Sequence, residues 1–510
     1  MGRPFPGPWT LEHHPWLRQL LDDDSPSIVV RKGSQLGLTE YALNRCLWGI
    51  DVQKWDALYV LPTANPDAGD FTAARFDPAI ELSDHIEKLF TDVSNVGHKR
   101  AGASNLYVRG SNSRSGLKSV PVARLVLDEL DEMVQANVEL AVERLSGQPQ
   151  KQLIRLSTPI VEGYGVAVAY EESTQQVWVF KCPHCGKRIE LTWPEAFRYE
   201  ESEADDFSGN AVICPECKGD LPTETKMQAQ RETGEWIAQR PQASVAGYWI
   251  NQLYSSTVSA AEIAAAWKAA QTRATAEQEF FNHKLGVAHS PKGARIDDAM
   301  ISSCIQPGRR MLTTSEGTTM GVDVGKLLHY EIDEWREGRK WLVAAGTCAE
   351  FKEIARLIGQ YRVWCCVVDA LPEERSARKL QQQLPGLVYL AYYRDLKVPL
   401  RFNEPQQTVD VNRTEAMDAA LGRIRTSTHV LPLDLPEEWR AQVKAPVRVL
   451  KEDPRTGNPK ARYMEGSLAD HYAHAAVYSE VAYALRPNPP MWQTGESMPF
   501  GDNFLEAFGE

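Results

Sequence analysis

Two stretches carry residue types whose spacing suits phosphate chemistry: IVVRKGSQLGLTEYAL at 28–43 and ARLVLDELDEM at 123–133. The first reads as a short β-branched strand (Ile28, Val29, Val30), a polar turn, then a helix entered at Leu38 and Thr39. That is the order of a phosphate-binding unit, in which loop N–H groups and a helix N-terminus cradle the anion. The spacing departs from the usual Gly, four residues, Gly-Lys-Ser/Thr. Lys32 stands at the place of the first glycine, Gly37 keeps the second, and Leu38 replaces the lysine before Thr39. From the start of the loop a long amine still reaches the β- and γ-phosphates, and Thr39 keeps the hydroxyl that binds Mg2+. The candidate ATP-binding residues are therefore Arg31, Lys32, Gly33, Ser34, Gln35, Gly37, Leu38 and Thr39. An ordinary turn before a helix would look the same in isolation. The second stretch decides between them. Its apolar strand Leu125, Val126, Leu127 ends on Asp128 and Glu129, where an Asp holds Mg2+ through water and the next Glu orients the attacking water. A solvated strand end explains one carboxylate, but not Asp128, Glu129, Asp131 and Glu132 together, downstream of such a loop. A further strand at 153–156 ends in Ser157-Thr158-Pro159, placed to respond to the γ-phosphate. The combination predicts ATP hydrolysis with Glu129 orienting the attacking water.

A second carboxylate set starts at TTMGVDVG (318–325), a strand ending at Asp323. Two strand-like runs follow (LLHYEIDEW, KWLVAAGTC), then a helix (EFKEIARLIGQY), the buried strand VWCCVVDA ending on Asp369, a helix (EERSARKLQQQ) and a strand (LVYLAYY). Three strands, helix, strand, helix, strand is the order of a ribonuclease H-like fold. Its late helix is GSLADHYAHAAVYSEVAYAL, with Asp470 on its first turns. Singly, each Asp suits a strand end or a cap. Jointly, Asp323, Asp369 and Asp470 suit two divalent metals about 4 Å apart and in-line phosphodiester hydrolysis. Oxygen ligands favour Mg2+ or Mn2+ over zinc. Glu373 is the alternative to Asp369.

CPHC (Cys182, Cys185) and CPEC (Cys214, Cys217) are two C-x-x-C knuckles, followed by Gly186 and Gly219, in zinc-ribbon spacing. Four thiolates close a tetrahedral shell and leave no place for substrate water, so the Zn2+ is expected to be structural. A redox role is the lesser alternative, which the second knuckle argues against.

Around these motifs the chain has 510 residues, room for several domains, and a net charge of −12, which excludes a uniformly basic surface but not a local nucleic-acid groove. No apolar run is long enough for a membrane span and the start, MGRPFPGPW, lacks a signal-peptide h-region, so an intracellular protein is expected. Of the nine cysteines, Cys46, Cys304, Cys348, Cys365 and Cys366 read as buried thiols of a reducing compartment. Pro4, Pro6, Pro8, Trp9 and Trp16 form an aromatic lead-in that packs on the domain or covers a base. The stretch 98–118 is basic and turn-rich (Lys99, Arg100, Arg109, Arg114, Lys118): a solvated loop, a DNA contact, or the source of a residue acting in trans on ATP, as Arg75 is too. The basic stretch 440–462, with PRTGNP as its turn, suggests a β-hairpin suited to DNA phosphates. The Pro-rich tail has the makings of a docking peptide. The expected layout is an ATPase core at 1–177, a zinc ribbon at 178–222, a linker and helical subdomain at 223–312, a nuclease at 313–485 and a tail at 486–510.

The ordered set RKGSQLGLTE, GSNSRSGLKSVPVARLVLDELDEM, STPI, the two knuckles, GYWINQLYSS, MGVDVG and LADHYAHAAVYSEVA resembles the large subunit of tailed-phage terminases, in particular the lambda-like gpA group. The likeness runs over about residues 5–485. It implies an α/β chain with a P-loop (RecA/ASCE-like) ATPase and a ribonuclease H-like nuclease. Such a chain cuts concatemeric DNA and pumps double-stranded DNA into a procapsid, working as a ring with a small terminase subunit on the portal protein. It would act in the bacterial host cytoplasm, transiently on the portal, and be absent from the mature virion. Matched to the family's motifs, Lys32, Gly37 and Thr39 take the Walker A loop, Asp128 and Glu129 Walker B, Ser157 and Thr158 the ATP-coupling motif, and Asp323, Asp369 and Asp470 the nuclease triad. The strand after Asp369 continues ALPEER where relatives often have a glycine-rich turn, and the N-terminus is shorter than in relatives that use it to bind the small subunit. Two other classes fit part of the pattern. A helicase or repair ATPase needs a second motor domain in place of the nuclease pattern; a zinc-ribbon DNA-binding regulator leaves both carboxylate sets unexplained.

Overall fold

The computed structural model of the chain describes residues 9–90, 93–118, 120–201, 206–291, 293–452, 459–464 and 469–485. The prolines at 4, 6 and 8, the turn of the 440–462 hairpin and the 486–510 tail lie outside the described residues. The chain divides into two compact units, Met1–Pro291 and Lys292–Glu510.

In the first unit seven parallel strands lie in the order Gln176–Lys181, Ala246–Ile250, Ser27–Lys32, Gln152–Ser157, Arg124–Asp128, Ala57–Leu61, Ser104–Gly110. Strands covered on both faces read as continuous apolar runs rather than alternations, as Ala57–Leu61 and Arg124–Asp128 do, each buried throughout. Gln152–Ser157 separates the strand of Lys32 from the strand of Asp128. Lys32, Ser157 and Asp128 thus leave the sheet side by side at the carboxyl ends of three neighbouring strands, where open parallel sheets bind ligands.

Two expectations change here. The 98–118 stretch is not a plain loop: it contributes the strands His98–Ala101 and Ser104–Gly110, the latter alternating buried and half-buried residues. The segment expected as linker and helical subdomain, 223–312, is divided between the units. Its GYWI forms most of Ala246–Ile250, paired directly with the phosphate-loop strand. A five-residue strand inside a parallel sheet has no alternation to reveal it. At the other end, Ile296, Ile301 and Cys304 share a core with Met417, Leu421 and Ile424 of the second unit.

The second unit's sheet has the order Leu400–Asn403, Thr408–Val411, Val388–Tyr393, Val363–Asp369, Thr318–Val324, Leu328–Arg336, Arg339–Cys348, His429–Val430. Thr318–Val324, Leu328–Arg336 and Arg339–Cys348 are successive antiparallel strands; Val363–Asp369 then returns parallel to the first of them. This is the ribonuclease H-like order. The helix His471–Leu485 crosses Thr318–Val324 closely enough to demand Gly321, since a Cβ there would lie 2.0 Å from the Ala475 carbonyl oxygen and 2.2 Å from the Ser479 nitrogen. The glycine of MGVDVG is therefore what lets that helix approach the sheet.

Candidate active sites

The loop 33–37 joins Ser27–Lys32 to the helix Leu38–Trp48. Gln35 (φ 58°) and Gly37 (φ 80°) are left-handed, which curls the backbone into a concave turn suited to an anion. The helix starts without a side-chain cap, so its first N–H groups remain to bind phosphate. Trp16 packs under the loop, its indole N–H donating to the Leu36 carbonyl at 3.0 Å. Its role is packing.

Lys32 is buried and its Nζ lies 2.8 Å from Glu129 Oε1. Burial works to lower the pKa of the amine, but the Glu129 and Asp128 carboxylates outweigh it and hold it above the ordinary lysine value. Burial likewise works to raise the pKa of Glu129, and Lys32 reverses it, keeping Glu129 ionised. Glu129 sits at φ 60°, a left-handed conformation rare for a bulky residue and typical of groups held in place for function. Its Oε2 accepts the Thr158 N–H at 3.3 Å. Burial, then the Glu129 charge, push Asp128 up to about 6; Tyr59 donates to its Oδ2 at 2.6 Å, and Oδ1 is buried with no hydrogen-bond partner. With the Thr39 hydroxyl close to Asp128 and no strict hydrogen bond on Oδ1, the pair fits a divalent cation bound there with the nucleotide. Asp131, pushed up to about 7 by burial, accepts the Ile160 and Val166 N–H groups, while Ser157 Oγ accepts from the Asp131 N–H. Asp131 thus braces the Ser157-Thr158 segment rather than facing the loop.

Adjacent residues of a strand point to opposite faces, and Arg31 shows it: its guanidinium lies over Tyr170 and Trp249, away from Lys32. Of the cations suggested for ATP in trans, Arg75 pairs with Glu40 at 2.9 Å, and Arg114 and Lys118 are exposed. Lys99, in contrast, is buried against Asp77, and Arg109 donates to the Gly97 and Val108 carbonyls, so both hold the fold.

In the second unit Asp323 and Asp369 lie one residue beyond the registered pair Val322–Val368 on neighbouring parallel strands. Burial, and among the smaller influences the Asp323 charge, raise the pKa of Asp369, which accepts from Tyr478 at 2.9 Å and from the Leu371 N–H at 3.0 Å. Glu373 is exposed at the start of the next helix. Asp470 stands just before the helix His471–Leu485, with its carboxylate 3.3 Å from His474 and 3.8 Å from Arg413. The groups that converge with Asp323 are histidines: His471 Nδ1 is 2.8 Å from its Oδ2, and His329 is its cross-strand partner. Asp323, His329 and His471 form a set whose ligand atoms lie within 4.8 Å of one another; among the described residues Asp323, Asp369 and Asp470 do not. His329 was legible as the residue facing Asp323 across a tight hairpin, and His471 as the neighbour of Asp470.

Behind them, on the same strand, Glu331 and Asp333 form a sealed cluster with His429. Lys340 sits inside it, 2.7 Å from Glu331 and 3.2 Å from Asp333. Ser479 donates to Asp333 Oδ2 and the Trp439 indole N–H to Glu331 Oε2, while Asp333 Oδ1 and His429 Nε2 are buried with no hydrogen-bond partner.

In the first unit Cys182 and Cys217 approach to 3.9 Å and Cys185 and Cys214 to 4.0 Å. That is too far for disulfides and suits the edges of a tetrahedron with about 2.3 Å metal–sulfur bonds. The two knuckles are matched: Gly186 N–H donates to the Cys182 carbonyl and Lys218 N–H to that of Cys214, with Gly186 and Lys218 both left-handed.

Two family sequence models match the chain: "Phage terminase large subunit gpA, ATPase domain" over residues 4–236 and "Terminase large subunit gpA, endonuclease domain" over residues 245–389. The second covers Asp323 and Asp369 and stops before Asp470. Among solved structures the chain is similar to the large terminase of bacteriophage HK97, with 13% identity over 94% of this chain and 97% of that one and a TM-score of 0.53. It also matches a large terminase from a thermophilic bacteriophage at 11% identity, over 94% and 99%, with a TM-score of 0.33. A comparison with curated proteins gives no match.

Proposed function

Because the chain belongs to the phage terminase large-subunit gpA family, with an ATPase domain and an endonuclease domain in one polypeptide, we propose that it drives double-stranded DNA into a procapsid and cuts the concatemer with the two centres described above. The observation that carries the motor assignment is the convergence of Lys32, Asp128, Glu129 and Thr158 at the ends of three adjacent strands.

In the resting arrangement Lys32 neutralises Glu129. A triphosphate in the loop offers Lys32 a stronger partner, and the released Glu129, still oriented by the Thr158 N–H, accepts the proton of the attacking water. Asp128 and Thr39 would hold Mg2+, which supplies charge neutralisation on the β- and γ-phosphates. Ser157, Thr158 and the rest of the loop, Gly33 to Leu38, complete the binding set; Arg31 acts only by holding the strand.

In the nuclease, Asp323 and Asp369 would hold Mg2+ or Mn2+ as Lewis acid for phosphodiester hydrolysis. The imidazoles of His471 and His329 beside Asp323 favour Mn2+ over Mg2+. Asp470 acts from the rim through His474 and Arg413. Cys182, Cys185, Cys214 and Cys217 would hold a structural Zn2+. A ring of these chains on a portal protein, fed by a small terminase subunit in the host cytoplasm, completes the proposal.

The test is DNA-stimulated ATP hydrolysis alongside Mn2+-dependent nicking of plasmid DNA by the full chain. Both activities support the reading. ATP hydrolysis without nicking leaves a motor of the helicase type, and neither activity leaves a DNA-binding regulator.

A further inference from the structure

One group at the phosphate loop belongs neither to the strand-end acids nor to the Ser157-Thr158 segment. His283 lies on the short helical segment Phe280–Lys284, far along the chain from the loop, and holds Ser34 twice. Its carbonyl oxygen accepts the Ser34 N–H at 2.8 Å, and its Nδ1 shares a hydrogen bond with Ser34 Oγ at 2.9 Å. The neighbouring groups of the loop are held too: the Gly33 N–H donates to the Ile250 carbonyl at 2.9 Å, and Gln252 Nε2 donates to the Ser34 carbonyl at 2.9 Å.

The contact is close-packed. A Cβ on Gly33 would stand 3.0 Å from the carbonyl oxygens of both His283 and Lys284, and one on Gly286 would stand 2.6 Å from the Gly33 nitrogen. Two glycines far apart in sequence are thus required by one interface. The same stretch touches the ATP centre a second time: His289 N–H donates to the Ile160 carbonyl at 3.3 Å, and Ser290 Oγ donates to Glu162 at 2.7 Å, just past Thr158. It then ends the first unit at Pro291.

The front of the loop, at Gly33 and Ser34, therefore has its N–H groups engaged by protein, while the N-terminus of the helix Leu38–Trp48 stays uncapped for phosphate. We propose that His283 is a positioning residue for nucleotide binding: it fixes Ser34 so that the back of the loop faces the phosphates, and it ties the stretch 280–290 to the loop's occupancy. The inference rests on the reading of residues 32–39 as the phosphate loop. A nucleotide that prefers the clamped loop must by reciprocity tighten the clamp, so the last stretch of the first unit senses whether the loop is filled.

The experiment is titration of the full chain with a fluorescent ATP analogue, for the wild type, His283→Ala, His283→Asn, Ser34→Ala and the His283→Ala/Ser34→Ala double variant. Loss of one hydrogen bond between loop and clamp should weaken binding by roughly fivefold in either alanine variant. The double variant should be no weaker than the singles, because both remove the same bond, and His283→Asn, which can still bond Ser34, should recover most of the affinity. KM for ATP should rise while kcat changes less. Hydrogen exchange over 280–290 should slow on nucleotide addition in the wild type and not in His283→Ala. Ser34→Ala, which leaves the segment Phe280–Lys284 unchanged, reads the same bond if His283→Ala unfolds. Unchanged affinity in the alanine variants, additive losses in the double variant, or exchange over 280–290 indifferent to nucleotide overturns the inference. A wild type that binds no nucleotide overturns the loop reading instead.

Discussion

In the first unit Asp128 and Glu129 leave the sheet beside a lysine of the same unit; in the second, Asp323 and Asp369 leave it beside histidines and a tyrosine. A buried lysine is a permanent counter-charge fixed in place, which keeps Glu129 ionised. Neutral imidazoles and a phenol supply no such fixed charge, which leaves Asp323 and Asp369 open to a cation from solution. The second unit contains its own control. The strand Leu328–Arg336 carries His329 beside Asp323 and, a few residues on, Glu331 and Asp333, sealed around Lys340. Burial drives His429 in that cluster down to about 3, so it stays neutral and Lys340 carries the positive charge. Two clusters with nearly the same ligand types therefore differ in whether the chain itself fills the cation position. One is available to a metal; the other is closed by the fold.

The sharpest way to break this comparison is to remove one acid from each centre. Glu129→Ala should cut ATP turnover by about 10²–10⁴-fold while a fluorescent ATP analogue still binds, because the loop and Asp128 remain. Turnover close to the wild-type rate would take Glu129 out of the chemistry. Asp323→Ala should abolish Mn2+-dependent nicking and leave ATP hydrolysis within about twofold, since the two acids belong to different compact units. Nicking that persists in Asp323→Ala but vanishes in Glu331→Ala would exchange the roles of the two clusters.

Lys340→Met tests the sealed cluster. It leaves Glu331 and Asp333 buried without their cation, for which the expected cost is about 3–5 kcal/mol. The thermal transition of the second unit should fall accordingly, with ATP hydrolysis by the first unit retained at temperatures below it. A variant as stable as the parent would mean that the two acids are protonated, and that the contrast between a filled and an open cation position does not hold.

How much of this is open to a reader of the sequence depends on how far apart the contacting residues are. The strand, loop and helix at 28–48, the acid-ended strand at 124–128 and the strand order of the second unit follow from local runs and their succession. The clamp by His283 and the lysine inside the Glu331 and Asp333 cluster do not, because each joins segments whose pairing only the folded sheet decides. The helix after Leu468 is a nearer case. The sequence places Asp470 on its first turns; the helix begins at His471, which bonds Asp323, while the Asp470 carboxylate lies by His474 and Arg413. One residue is about 100° around a helix, enough to exchange one side chain for the next. Likewise Arg31 and Lys32 are neighbours in sequence and belong to opposite faces of a strand.

The smallest expected effect concerns a lysine for which the fold supplies no acid. Lys226, on the helix Thr223–Thr233, is buried, and among the described residues no carboxylate forms an ion pair with it. Its Nζ donates to the carbonyls of Leu253 at 2.7 Å and Ser255 at 3.0 Å. A neutral amine has two N–H donors and satisfies both, whereas the ammonium buries a third without a partner. Burial accordingly brings its pKa down to about 7, against about 10.4 in an unfolded chain. Between these values the unfolded chain keeps the proton and the folded one has released it, so unfolding takes up a proton and stability rises with pH. The slope from this one group is about 1.4 kcal/mol per pH unit in the middle of the window. Below about pH 7 both states are protonated, and the folded state bears the full cost of the buried charge. Denaturant unfolding of the first unit at pH 7.5, 8.5 and 9.5, for the wild type and Lys226→Met, isolates the term, because every other titrating group cancels in the difference. The wild type should gain on the variant with each step upward. A difference that stays flat to pH 9.5 would show that Lys226 keeps its proton when buried, and that two carbonyls serve a lysine as well as a carboxylate does.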